Sequence, residues 1–310
     1  MRAFFTKFCV LSALVWAGAA HAACDGTALP SFGGRKVVLL NDSLLFKTAK
    51  VKTDIDGAPS AYGRFDQGLE DICNGLGAIE PAQCRGVAQT GTCYRACQQA
   101  FRQWDGELRN IGKTMCSIGL GGGECSEPQP RFQQAPRQDW FVSETTVRAA
   151  PPPGVGVKSW LSSQPAQLDA LEIPYFVIPG KFRAMTWDAT PGDVGVVVDK
   201  ASERALFFVV GDVGGNLDEA SAKLLAQLRG AEALPLKNKE NAFGKMVARL
   251  GQVTLDGDYR VAIFRHTSPR VPGTTRLTKT TAELPAWIEA VGREKLSAIG
   301  GVRAILECTN

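Results

Sequence analysis

The sequence predicts a mainly β fold, a small barrel or sandwich with helical additions. Three observations predict it. Short apolar, β-branched or aromatic runs recur at 37–40, 44–52, 173–180, 193–199, 205–212, 252–255 and 259–264. Gly, Pro, Asp and Asn punctuate the chain between them, as turns require. Only three stretches have helical character, Cys93 to Arg109, Glu219 to Arg229 and Thr281 to Leu296.

Taken in order, residues 24–34 form a loop-rich lead containing Gly33-Gly34. Val37–Leu40 and Leu44–Lys52 follow. The second run alternates near its end, as a half-buried strand does. Asp54-Ile55-Asp56-Gly57-Ala58-Pro59 has turn composition. Residues 73–125 are rich in cysteine, and the predicted helix within them places Cys93 and Cys97 one turn apart on one face. Gly119 to Gly123 is a flexible end, and 126–137 and 150–156 are polar or Pro-rich connections. The helix from Glu219 carries Ala220, Leu224, Leu225 and Leu228 on one stripe, with Asp218 as its N-cap. The last helix is expected to break at Pro285.

The first residues carry Arg2 and Lys7, an apolar run from Cys9 to Ala20, and the small-x-small site Ala20-His21-Ala22. This pattern is expected of a secretory signal peptide covering 1–23, and so of a secreted or periplasmic protein. No later stretch is long and apolar enough to cross a bilayer, so no stable membrane insertion is expected. Of nine cysteines, Cys9 lies in the signal and eight remain: Cys24, Cys73, Cys84, Cys93, Cys97, Cys116, Cys125 and Cys308. An even count in an oxidising compartment predicts four disulfides. Zinc would want Cys-x2-Cys knuckles or Cys with His, but the closest pair is Cys93-x3-Cys97, and His266 is the one histidine past the signal. Neither a metal nor a cofactor is expected. Cys24 and Cys308 are expected to tie the ends together. The other six pair among themselves in one of 15 ways.

The divisions that follow are 24–72 for the first part of the main domain, 73–137 for a cysteine-rich insertion, and 138–310 for the rest. Without Arg2 and Lys7 the chain carries 33 basic against 31 acidic residues. No basic patch marks a nucleic-acid partner.

The chemistry centres on Val209-Val210-Gly211-Asp212-Val213-Gly214-Gly215-Asn216-Leu217-Asp218-Glu219. A buried strand ends on Asp212, a glycine turn follows, and a helix is expected to open at Glu219. Such a turn lets two carboxylates face one space, as glycosidic hydrolysis needs: one protonates the leaving oxygen while the other activates water or attacks the sugar. On spacing alone, the stronger reading is a turn aspartate and a first-turn glutamate favoured by the helix dipole. Asp54 and Asp56 carry the same ambiguity. Asp-x-Asp-Gly opens many calcium loops, but Phe65 stands where an EF-hand has its glutamate. A Ser-His-Asp triad would rest on His266 with no nucleophile elbow, and Gly119–Gly123 lacks the Lys-Ser/Thr of a phosphate loop.

Four strings, Val51 to Tyr62, Ile173 to Gly180, Gly192 to Gly195, and Phe207 to Gly214 with Glu219-Ala220-Ser221, resemble in their order the family 75 glycoside hydrolases, the fungal-type chitosanases and their bacterial relatives. The late strand Val261 to Phe264 completes the resemblance. It implies a six-stranded, double-psi-like β-barrel and inverting endo-hydrolysis of the β-1,4 linkages of chitosan. The essential carboxylates would be Asp212 and Glu219, written as acid and base in that order, although the sequence does not fix the order. Asp54, Asp56, Tyr62, Tyr175 and Asp193 would meet substrate. A carboxylate-lined cleft suits a polycation. The chain differs from the family pattern in three places. Asp218 stands where a Gly precedes the glutamate, the turn between the carboxylates is short, and the cysteine-rich block is additional. Another polysaccharide such as peptidoglycan, or carbohydrate binding without catalysis, is the alternative.

Overall fold

A computed structural model describes residues 24–63, 66–71, 142–180, 182, 187–241 and 243–310. The predicted signal segment, the predicted helix Cys93 to Arg109 and the cysteines from Cys73 to Cys125 lie outside the described residues. Within them are strands β1 (Thr27–Phe32), β2 (Arg35–Leu40), β3 (Ser43–Asp54), β4 (Tyr175–Pro179), β5 (Val194–Asp199), β6 (Arg204–Gly214), β7 (Glu219–Ser221), β8 (Lys237–Glu240), β9 (Met246–Arg249) and β10 (Thr254–Phe264). Helices α1 (Val157–Leu161), α2 (Ala222–Leu228), α3 (Leu284–Ala298) and α4 (Gly301–Cys308) complete them.

Six strands close a barrel in the order β3-β10-β5-β6-β4-β7, and β7 returns to β3. Closure removes the open edges that would otherwise invite pairing with another chain. β3 is the junction. One of its edges pairs with β10 over most of its length, while its other edge pairs first with β2 and then, through Lys52–Asp54, with β7. The pairs β3–β7 and β4–β6 are parallel, whereas β10 is antiparallel to both neighbours. The strands are apolar runs because the barrel buries them. Phe46, Phe176 and Phe208 pack through the interior, the first pair tilted and the second stacked, with centroids 6.2 and 5.1 Å apart. Each contributes about 1.5–3 kcal/mol by burial. Gly195 is required there, since a Cβ would stand 2.4 Å from the Phe208 ring.

The structure corrects several expectations. The lead at 24–34 is not a loop: β1 pairs with β2 across Gly33 and Gly34, which both take positive φ. The two late strands are one strand, β10, bulged between Asp256 and Tyr259. The expected helix start at Glu219 is instead a strand. Glu219–Ser221 pairs with Lys52–Asp54, and the helix begins after it. Its N-cap is Ser221, whose Oγ accepts from Leu224 N at 3.2 Å, rather than Asp218. Pro285 does not break α3 but lies in its first turn, where its missing N–H is not needed. The β8–β9 hairpin was not foreseen, because Lys237-Asn238-Lys239-Glu240 is exposed and has no apolar alternation.

Cys24 and Cys308 are joined, as expected, with Cα atoms 4.9 Å apart. No helix among the described residues is long and apolar enough to cross a membrane.

Candidate functional site

The barrel places four carboxylates on neighbouring strands. Asp54 ends β3, and Asp56 follows it in the turn. Glu219 opens β7, and Asp212 lies in β6, separated from β7 only by β4. Asp212 therefore does not end a strand. It stands inside β6, just after a bulge at which Phe176 pairs with Val210 and Val177 with Asp212, leaving Gly211 as the extra residue. A bulge of this kind re-aims the next side chain. Gly211 has no room for a Cβ, which would lie 2.7 Å from Tyr175 Cβ.

Asp54, Asp56 and Asp212 each offer a carboxylate oxygen within 4.8 Å of the other two. Glu219 lies outside this trio but faces it. Along β6, Asp212 and Gly214 point to the same side, and the space on Gly214 is filled by Glu219 Oε2, 2.8 Å from where a Cβ would be. Asp54 Oδ1 accepts from the amide of Asp56 at 2.8 Å, fixing the turn. Asp56 Oδ1 accepts from the Tyr62 hydroxyl at 2.7 Å, and the Tyr175 hydroxyl donates to the Asp56 carbonyl at 2.8 Å. So six of the seven residues read from the sequence come together.

Asp193 is the exception. Its carboxylate accepts from Thr190 N at 2.8 Å and from Thr267 N and Ser268 N at 3.1 Å. The whole carboxylate is spent on tying the start of β5 to the loop after β10, and the residue is fully buried.

Residues 142–149 were missed. They form an extended segment laid beside β6, held by Val147 N to Gly211 O at 3.0 Å and Arg148 N to Thr275 O at 3.1 Å. Thr146 donates to Asp212 Oδ1 from its amide at 2.9 Å and from its hydroxyl at 2.5 Å, and Val213 N adds a third donor at 2.7 Å. Ser143 Oγ accepts from Gly57 N at 2.9 Å and lies 3.5 Å from Asp56 Oδ1. Arg148 is a cation whose charge bears on Asp212, and it also pairs with Glu144 at 3.5 Å. The signal was present as period-2 alternation. Thr145, Val147 and Ala149 are buried, while Glu144, Thr146 and Arg148 stand half-buried on the other side.

Three carboxyls so close cannot all be ionised comfortably. Burial, then Asp56 and Asp212, push Asp54 well above the usual carboxylate range. Burial and Asp212 push Asp56 up to about 7. Asp212 is raised by burial, but Thr146, Val213 and Arg148 oppose the rise. Glu219 is raised by burial and by Asp218, against Lys52 and Asn216. Asp54, Asp56 and Asp212 are the one grouping among the described residues close enough to share a cation. The atoms set around their oxygens are amide and hydroxyl donors, which favour the ionised form of whichever carboxyl receives them.

Compared with models of known protein families and with curated proteins, the chain matches none.

Proposed function

We propose that this is an exported glycoside hydrolase that cleaves β-1,4 linkages of chitosan within the chain, by acid/base catalysis with inversion. The observation that carries the proposal is the convergence of Asp212 and Glu219, together with Asp54 and Asp56, on one side of a β6–β4–β7–β3 arc of a closed barrel. The resemblance to the family 75 hydrolases agrees with it, since the same two carboxylates carry the family pattern. On this reading the barrel is of the double-psi kind, and residues 73–137 are a disulfide-stapled insertion.

The members of the trio stand too close to leave room for a hydrolytic water between two of them, which takes a separation of about 6.5–9.5 Å. Glu219, outside the trio, is the carboxyl that can oppose it. The hydrogen bonds favour the reverse of the order written from sequence. Asp212, with three donors on one oxygen, is the carboxylate that activates water. Glu219, whose carboxyl is pushed upward by burial and by Asp218, donates to the leaving oxygen. Several carboxyls lining one site also suit a glucosamine polymer, which is cationic.

The experiment is reducing-end release from chitosan, run beside turbidity loss of bacterial cell walls. The wild type is expected to release ends from chitosan, and Asp212→Asn and Glu219→Gln to lose at least about 10³-fold, within the range of general acid and base contributions. Full activity in either variant would sink the assignment. Activity on cell walls alone would move the substrate to peptidoglycan.

A further inference from the structure

We propose that Thr146 is a positioning residue that decides how the carboxyl trio shares its proton, holding Asp212 as the ionised member and leaving Asp54 as the protonated one.

The argument is a count of donors. Asp212 Oδ1 receives three, the Thr146 amide, the Thr146 hydroxyl and the Val213 amide, at 2.9, 2.5 and 2.7 Å. Asp56 Oδ1 receives the Tyr62 hydroxyl at 2.7 Å, with the Ser143 hydroxyl at 3.5 Å. Asp54 Oδ1 receives the amide of Asp56 at 2.8 Å and no second donor among the described residues. Donors to the charged form favour that form, so the proton goes to the member with the fewest. The charged neighbours act the same way. Arg148, two residues after Thr146, is the cation that Asp212 feels. The charges that weigh most on Asp54 are acids, namely Asp56, Asp212 and Glu219. Asp56 also faces Glu70, and Tyr175 and Tyr62 close the remaining side as neutral phenols. Beyond Glu219, Lys52 and Asp218 bear on the site with opposite signs.

Thr146 can act in this way because it is fixed from behind. Its neighbour Thr145 is buried, with its hydroxyl donated to Val147 O at 2.7 Å and its amide donated to Gln167 Oε1 at 2.9 Å. Val147 N is anchored on the carbonyl of the bulge residue Gly211. The segment that carries the donors is thus tied to the irregularity that aims Asp212. Ser143, on the same segment, reaches Asp56, so one stretch of chain touches two members of the trio.

The assignment of the proton stands on geometry. Its consequence for turnover rests on the hydrolase reading. The test follows the side-chain carboxyl carbons of aspartate by ¹³C NMR over pH 3–9 in the wild type, Thr146→Val and Thr146→Ser, together with the pH dependence of kcat/KM. In the wild type, Asp212 is expected to ionise first of the trio and Asp54 last. Thr146→Val should raise the Asp212 midpoint by about one unit, the size of one charge-assisted hydrogen bond, and move the acid limb of the rate profile with it. Thr146→Ser, which keeps the hydroxyl, should behave as wild type. The proposal is overturned if Asp54 ionises before Asp212, or if the Asp212 midpoint is unmoved in Thr146→Val. Should Thr146→Val not fold, the wild-type order alone decides. Absence of hydrolysis with the titrations as expected would sink the hydrolase reading and leave Thr146 in its role. Lost turnover in Thr146→Val with an unmoved midpoint would do the opposite.

Discussion

Glu219 Oε2 lies 2.8 Å from the point that a Cβ on Gly214 would occupy. The glycine is thus the floor against which the glutamate rests, and it stands two residues beyond Asp212 on the same side of β6. Its backbone does not lie in the left-handed region, so alanine is tolerated by the chain itself. Gly214→Ala should therefore displace the Glu219 carboxyl, and because the buried Val177 Cγ1 stands 2.8 Å from the same point, it also crowds the barrel wall. A displacement on the order of 1 Å at a reacting group costs about 10²-fold. The expected result is kcat on chitosan down roughly 10–100-fold in a folded protein destabilised by about 1–3 kcal/mol through the crowding at Val177. Unchanged kcat would remove Glu219 from the reaction.

Much of this site was legible beforehand, and what was not has physical reasons. Asp212, Glu219, Asp54 and Asp56 stood out because they flank apolar strands and glycine turns, which is a local signal. The bulge at Gly211 is not local, since it exists only relative to the register of β4. The start of α2 was misplaced for a related reason. Glu219-Ala220-Ser221 has helical character alone, but the open edge at Lys52–Asp54 recruits it as a strand that closes the barrel. Asp193 sits at a strand start as Glu219 does, and nothing local says that three amides and a hydroxyl consume its carboxylate. Thr146 belongs to a segment that pairs with three distant parts of the chain, around Gly211, Gln167 and Thr275, so its role is a tertiary property.

The Cys24–Cys308 bond spans 284 positions and joins the lead before β1 to the end of α4. Closing so long a loop restrains the unfolded chain strongly, and removing such a bond costs typically about 2–5 kcal/mol. Neither cysteine touches the carboxylates, so Cys24→Ser with Cys308→Ser should lower the unfolding free energy by that amount. The kcat/KM at 25 °C should stay within about twofold, since the expected loss lies below typical domain stability. A reductant titration followed by thermal unfolding checks it in the wild type.

Arg249 is buried and holds Asp66 at 2.7 Å, with further bonds to the carbonyls of Asp66 at 2.8 Å, Gly68 at 2.7 Å and Glu70. This clasp ties the stretch after the Asp56 turn to β9, and Leu250 N to Leu69 O at 2.9 Å continues it. Removing one partner of a buried pair leaves the other charge uncompensated, which costs about 3–5 kcal/mol. Arg249→Met should show that loss in urea unfolding. Arg249→Met with Asp66→Asn, which buries no lone charge and suits the positive φ at this position, should recover part of it.

The carboxyl trio also predicts the pH dependence of stability. Asp56 is held up at about 7 in the folded protein against an ordinary 3.8, chiefly by burial and by Asp212. Between those values the folded state keeps a proton that the unfolded chain has released. Stability therefore falls as pH rises from about 4 to about 7, levels off above that, and is greatest on the acid side as far as this group is concerned. Asp54, Asp212 and Glu219 are raised as well and act with the same sign. Asp56→Asn keeps an acceptor for Tyr62 and removes the charge that the fold resists. The variant should be more stable than wild type at pH 8 by on the order of 2–4 kcal/mol, with the difference vanishing near pH 4. Urea unfolding of both proteins at pH 4, 6 and 8 measures it. A wild type whose stability rises across that range would mean that the trio is not protonated in the folded state. A stabilised Asp56→Asn with reduced kcat would show the cost that a strained site imposes on the fold that carries it.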